Sequence, residues 1–95
     1  MKVYVINEYV KTSEYNGNVG ERTTIYSSLT EAIDVVRTMF WDKMDKLEKD
    51  QHIDSDNLYV SRNDGYCRGV IEYRTIGMNE YEYTWNISCT GYDVK

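Results

Sequence analysis

One stretch of the chain carries sustained helical periodicity. Leu29, Ile33, Val36, Phe40, Met44 and Leu47 recur at intervals of three and four, which stacks them in a single apolar stripe. Ser28 followed by Glu31 has the form of a capping box, in which hydroxyl and carboxylate each satisfy an orphan backbone N–H. The pattern predicts a helix from Ser28 to about Asp50. About 22 residues of helix span roughly 33 Å, enough to cover one face of a small sheet.

The remaining apolar positions have the period of strands. Residues 2–10 (KVYVINEYV) and 21–27 (ERTTIYS) read as two strands, with Asn16-Gly17 between them as a hairpin signal. Pairing across that turn sets Ile6, Glu8 and Val10 on the face shared with Ile25, and Val3, Val5, Tyr9 and Tyr26 on the other. The pattern leaves open which face meets the core; a Glu8 on the core side is expected at a rim that reaches water, because unpaired carboxylates are rarely buried. After the helix, residues 51–57 read as a polar connector, followed by strands over 58–62, 66–76 and 80–89.

The last strand alternates cleanly, with Tyr81, Tyr83, Trp85, Ile87 and Cys89 on one face and Glu80, Glu82, Thr84, Asn86 and Ser88 on the other. A three-residue loop at 77–79, with Asn79 left-handed, pairs Ile76 with Glu80. That register sets Tyr73 opposite Tyr83, Ile71 opposite Trp85, Arg74 opposite Glu82 and Cys67 opposite Cys89. A slip of one residue turns Glu72 and Arg74 onto the aromatic face and is rejected. A two-residue Asp64-Gly65 turn sets Leu58 opposite Ile71. The inner face then holds Leu58, Val60, Ile71, Tyr73, Tyr83, Trp85 and Ile87, and the helix stripe closes over it. The order is ββαβββ: one α+β domain over residues 1–95, a mainly antiparallel sheet covered on one face by a single long helix. A ubiquitin-like roll, which also begins hairpin–helix, is the alternative topology.

Composition narrows the function classes. A chain of 95 residues buries roughly 60–65% of its unfolded surface, which allows one modest core and no deep enclosed pocket beside it. The balance of 16 acidic against 11 basic residues gives a net charge of −5, without the basic stripe of a nucleic-acid binder. An acidic surface serves solubility, a basic protein partner, or imitation of nucleic-acid charge. The apolar runs are too short for a membrane span and the chain opens directly on a strand pattern, so a cytoplasmic protein is expected. Two cysteines are too few for a secreted disulfide scaffold. The Asn86-Ile87-Ser88 sequon accordingly carries no weight. Ten tyrosines are accounted for chiefly by strand preference, although tyrosine also favours interfaces.

Candidate chemistry is sparse. The stretch from Asp50 to Asp56 gathers three carboxylates and the only histidine, His52, but fails as an EF-hand loop. Counted from Asp50, the sixth position is Ser55 and the twelfth is Ser61, where glycine and glutamate are required. No metal site is assigned. Cys67 and Cys89 fall on strands, facing inward, where a thiol behaves as a small hydrophobe. No glycine-rich phosphate loop or cofactor motif is present, and no catalytic residue is assigned.

Trp41 stands out. It lies about a right angle from Phe40 around the helix, at the margin of the apolar stripe, with Asp34, Arg37, Asp45 and Glu48 on its flank. Either it packs over the edge of a wide sheet, or it is a binding anchor, as tryptophan at interfaces often is. The second reading makes Trp41, Asp34, Asp45 and Glu48 the contact residues for a protein partner.

An opening KVYVINEY strand, a hairpin, and a strand–SSLTEA–helix succession covers about the first half of the chain. It resembles small accessory proteins of phages and mobile elements of low-GC bacteria. The resemblance implies a protein that binds or inhibits a host component, defence nucleases included. The expectation is a non-enzymatic protein-binding inhibitor or modulator directed at a nucleic-acid-handling or defence protein, without cofactor, direct nucleic-acid contact or membrane contact. The alternative is an oligomeric, small-ligand-sequestering protein, a homodimer for instance, in which Arg68 and Arg74 on the outer sheet face contact an anion.

Overall fold

The computed structural model describes residues 1–12, 18–77 and 81–94, leaving aside the side chains of 18–22. The Asn16-Gly17 turn and the Ile76–Glu80 pair with its Asn79 loop residue lie outside the described residues. Five strands, β1 (Lys2–Thr12), β2 (Asn18–Tyr26), β3 (Gln51–Ser61), β4 (Tyr66–Thr75) and β5 (Glu82–Asp93), accompany one helix, α1 (Leu29–Asp50), in the order ββαβββ. They form one sheet in the order β2-β1-β5-β4-β3, every neighbouring pair antiparallel. The first and last strands therefore pair in the middle, and the helix connects the two opposite edges across one face. Among the described residues no helix is long and apolar enough to cross a membrane.

The helix begins where its capping residues place it. Ser28 is the N-cap, and its hydroxyl accepts the Glu31 backbone N–H at 3.3 Å. At the other end Gln51 donates its backbone N–H to the Leu47 carbonyl and turns straight into β3. Ala32, Ile33, Val36, Phe40, Met44 and Leu47 are buried against Ile6, Cys67, Ile71, Tyr73, Trp85, Ile87 and Cys89. Leu58, Val60 and Tyr83 pack at the margin of this core.

The β4–β5 register runs as the alternation requires, with Tyr73 opposite Tyr83, Ile71 opposite Trp85, Arg74 opposite Glu82 and Cys67 opposite Cys89. Gly69 sits in this ladder opposite Ile87 without any bulge. Its inward position lies under the Phe40 ring: a Cβ there would come within 2.7 Å of Phe40 Cδ2. The missing side chain lets the helix's largest core residue reach the sheet.

Three expectations are corrected. First, residues 51–57 are the opening half of an eleven-residue edge strand rather than a connector. The polar composition there reflects an exposed edge, and a register shift between Ile53 and Ser55 bulges the strand at Asp54. Second, Leu58 faces Gly69, and Ile71 faces Asp56. A two-residue turn of the expected type needs positive φ at both Asp64 and Gly65, and only glycines adopt it; Gly65 alone does so in this loop, at φ 63°. The loop instead spans Arg62–Gly65, braced by the Ser61 hydroxyl donating to Asp64 Oδ2 at 2.8 Å. The error amounts to two residues, so Leu58 and Val60 keep their face. Third, Ile25 pairs with Val5, away from Ile6. A register shift between Tyr9 and Lys11 reverses the facing of β2 beyond it. Tyr4, Ile6, Glu8 and Val10 form the covered side of β1, with Ile6 only 3% exposed.

Candidate functional site

The helix presents a second stripe to solvent. Asp34, Arg37, Trp41, Asp45 and Glu48 follow one another at intervals of three and four, and all five are exposed. Trp41 keeps 55% of its surface exposed while its ring meets Phe40 edge to face, centroids 5.1 Å apart. The indole is thus held from below by a core residue and leaves the rest of its surface free. This places all four sequence-derived contact residues, Trp41, Asp34, Asp45 and Glu48, on one surface. Along it three carboxylates accompany a single guanidinium, an acidic strip around an aromatic centre.

The two arginines of the alternative reading are not brought together. They stand six positions apart on β4, roughly 20 Å along the strand. Arg74 pairs with Asp54 at 3.4 Å, and His52 Nε2 lies 3.5 Å from the same carboxylate. Arg68 borders a trough of about 490 Å³ on the bare face of the sheet, with Tyr59, Tyr66, Asn57 and Glu72. Its Nη2 donates to Asn86 Oδ1 at 3.4 Å, and Asn86 is 4% exposed. The Tyr59 and Tyr66 rings lie 6.2 Å apart beside it.

A polar arrangement at the opposite margin of the helix centres on Glu8, whose inward facing would make it a candidate in the sequence, but whose partners Trp85 and Lys43 were not legible there. Trp85 Nε1–H donates to Glu8 Oε1 at 3.0 Å, and Lys43 Nζ stands 5.9 Å above the Trp85 ring. Glu8 is therefore on the covered face, half-buried at a rim, with its carboxylate partnered. A cleft of about 270 Å³ there also meets Met39, Asp42 and Lys46. The signal that could have found it is the β1–β5 pairing, which sets Glu8 diagonal to Trp85, 77 residues away.

Cys67 and Cys89 are free, fully buried, and directly opposed. Burial and the neighbouring Cys89 push the Cys67 thiol up to about 11, against a weaker lowering by Arg37 and Arg62. Burial likewise raises Cys89. Both are protonated at neutral pH, the inert form of a thiol. His52 pairs with Arg74, seven positions along β4 from Cys67, so no cysteine–histidine pair forms. Among the described residues no group of three or more metal-ligating side chains converges. The chain matches no family model, no curated protein and no solved structure among those compared.

Proposed function

We propose that this protein is a non-enzymatic protein-binding modulator that docks a basic surface of its partner through the Trp41 stripe. What carries the reading is Trp41 itself: a large indole, 55% exposed, fixed against Phe40 and flanked by exposed carboxylates of Asp34, Asp45 and Glu48. Tryptophan is enriched among the few residues that carry most of the energy of a protein–protein contact, and one supported from below presents a large apolar area for a partner to cover. Carboxylates in that rim favour a partner rich in lysine and arginine, as proteins that handle nucleic acids are. An inhibitor of a host nuclease or defence protein, of the kind that phages and mobile elements encode, fits this chemistry.

The test is affinity purification from a host lysate with three baits: the natural chain, Trp41→Ala, and Asp34→Asn with Asp45→Asn and Glu48→Gln. A protein held by the natural chain and lost by both variants, each still cooperatively folded, supports the reading. A protein held equally by all three removes the stripe from the interface. The second reading, ligand sequestration, rests on the Arg68 trough with its flanking tyrosines. Native mass spectrometry of the purified chain decides for it if a small molecule is retained and Arg68→Ala releases it.

A further inference from the structure

The chain has two cysteines, and the sheet sets them against each other. Only two residues lie directly opposite Cys89, Ile6 on the β1 side and Cys67 on the β4 side. Both thiols are 0% exposed and belong to the core beneath the helix. The ladder fixes their spacing. Thr75 donates its backbone N–H to the Tyr81 carbonyl at 3.0 Å, which makes these two a hydrogen-bonded pair. Pair types alternate along antiparallel strands, and the register from there to Tyr66 is unbroken. Tyr73–Tyr83, Ile71–Trp85, Gly69–Ile87 and Cys67–Cys89 are therefore pairs of the same type. Opposed Cα atoms in such pairs stand about 5.5 Å apart, within the span of a disulfide. Their Cβ atoms stand about 5 Å apart and need to draw together by about 1 Å to be bridged.

We propose that Cys67 and Cys89 form a reversible dithiol–disulfide pair, closed across β4 and β5 by hydrogen peroxide and reopened by a low-molecular-weight thiol. One cysteine, as its thiolate, attacks a peroxide oxygen; the O–O bond breaks and the departing hydroxide takes up a proton as water. The other cysteine's sulfur attacks the resulting sulfenic acid, the S–S bond forms, and the sulfenic hydroxyl leaves as a second water with that thiol's proton. Two thiols lose two electrons and one peroxide becomes two waters. Reopening runs by exchange: one external thiolate forms a mixed disulfide, and a second releases it as an external disulfide. Burial raises both thiols and holds them protonated, so closure waits on local opening of the helix from the sheet. The inward shift of the Cβ atoms strains the bond, and strained disulfides are the ones that thiols reduce readily. The crosslink joins the middle strand of the sheet to its neighbour and shrinks the freedom of the unfolded chain. Trp41, exposed on the helix, takes no part in it. Oxidation thus toughens the fold and leaves the docking stripe as it is.

Hydrogen peroxide added to the folded full chain at neutral pH, followed by denaturing alkylation and intact mass measurement, tests this. The expected product is lighter by about 2 Da, takes no alkyl group and maps to a link between Cys67 and Cys89 within one chain. It should unfold at higher urea than the reduced chain and return to the dithiol in excess glutathione. Ser88→Cys combined with Cys89→Ala carries the second thiol to the bare face of the sheet. Folded, that variant should crosslink at least about tenfold more slowly than the natural chain; unfolded in urea, the two should react alike. Circular dichroism checks its fold, and Arg68→Cys with Cys67→Ala supplies the same control from β4 if the first variant does not fold. Thiols of the folded natural chain that stay reduced, or that pass to sulfinic acid without a link, overturn the proposal. So does a link between two chains, a link formed as fast in the displaced variant, or one that glutathione leaves intact.

Discussion

Phe40 and Trp41 are consecutive aromatic residues whose rings touch, yet one is 1% exposed and the other 55%. Phe40 belongs to the stripe that presses into the sheet over Gly69 and Ile87. Trp41, a hundred degrees further around the helix, belongs to the stripe of Asp34, Asp45 and Glu48. Residue type does not separate them; angular position does. One of the two rings therefore holds the fold together and the other is left to meet something else.

Phe40→Ala should break the covered side most severely, with a loss of about 3–5 kcal/mol in chemical denaturation. It empties a site that the sheet has already shaped by omitting a side chain at Gly69. A variant with near-natural stability would mean that the helix is held by its other contacts.

The covered side also makes a prediction in pH. The folded Cys67 thiol ionises at about 11, above its ordinary value of 9.0. An acid whose pKa rises on folding leaves the unfolded chain to lose its proton first. Its contribution to stability is whole below pH 9 and disappears as pH climbs through 11. Two units correspond to roughly 2–3 kcal/mol for the natural chain and to nothing from this group in Cys67→Ala. Unfolding free energies compared at pH 8 and pH 11 check the difference.

Trp41→Ala sharpens the comparison from the exposed side. Stability should change by about 0.5 kcal/mol or less, while partner binding weakens by about 2 kcal/mol or more. Equal losses in calorimetric unfolding and in binding would place Trp41 with Phe40 as a packing residue.

At the margin between the two kinds of environment, Trp85→Phe and Glu8→Ala each remove the same hydrogen bond. The coupling energy in a double-mutant cycle should be about 1 kcal/mol, since the carboxylate still reaches water. Additive losses would mean that the indole and the carboxylate act independently. The smallest effect concerns encounter: association with the partner should slow about severalfold between low and high salt if the carboxylates steer it. A rate indifferent to salt removes charge from the recognition and leaves the indole alone.

How much of this was legible in the sequence varies with the range of the interactions involved. The helix and its cap are local, and Ser28, Glu31 and the apolar stripe specify them within a few turns. The β4–β5 register is nearly as local, because displacing it by one residue would turn Glu72 and Arg74 into the core. It accordingly brings Cys67 opposite Cys89. The Trp41 stripe follows from helix geometry alone. Residues 51–57 have the composition of a loop because Ile53 is the one apolar residue that this exposed edge packs against the core, too little to set an alternating pattern among His52, Asp54, Ser55 and Asp56.

Element order, the buried stripe, the aromatic face of β5 and the place of Trp41 follow from residue spacing, because each depends on contacts between near neighbours in the chain. Only the tertiary structure decided that β1 lies beside β5, that Ile6 rather than Val5 faces the helix, and that Glu8 meets Trp85. Those outcomes hang on pairing strands from opposite ends of the chain, and the facing of β2 hangs on one register shift between Tyr9 and Lys11. A one-residue shift reverses which side chains face inward while leaving the local pattern of apolar and polar residues unchanged. Nothing short of the assembled sheet distinguishes the two.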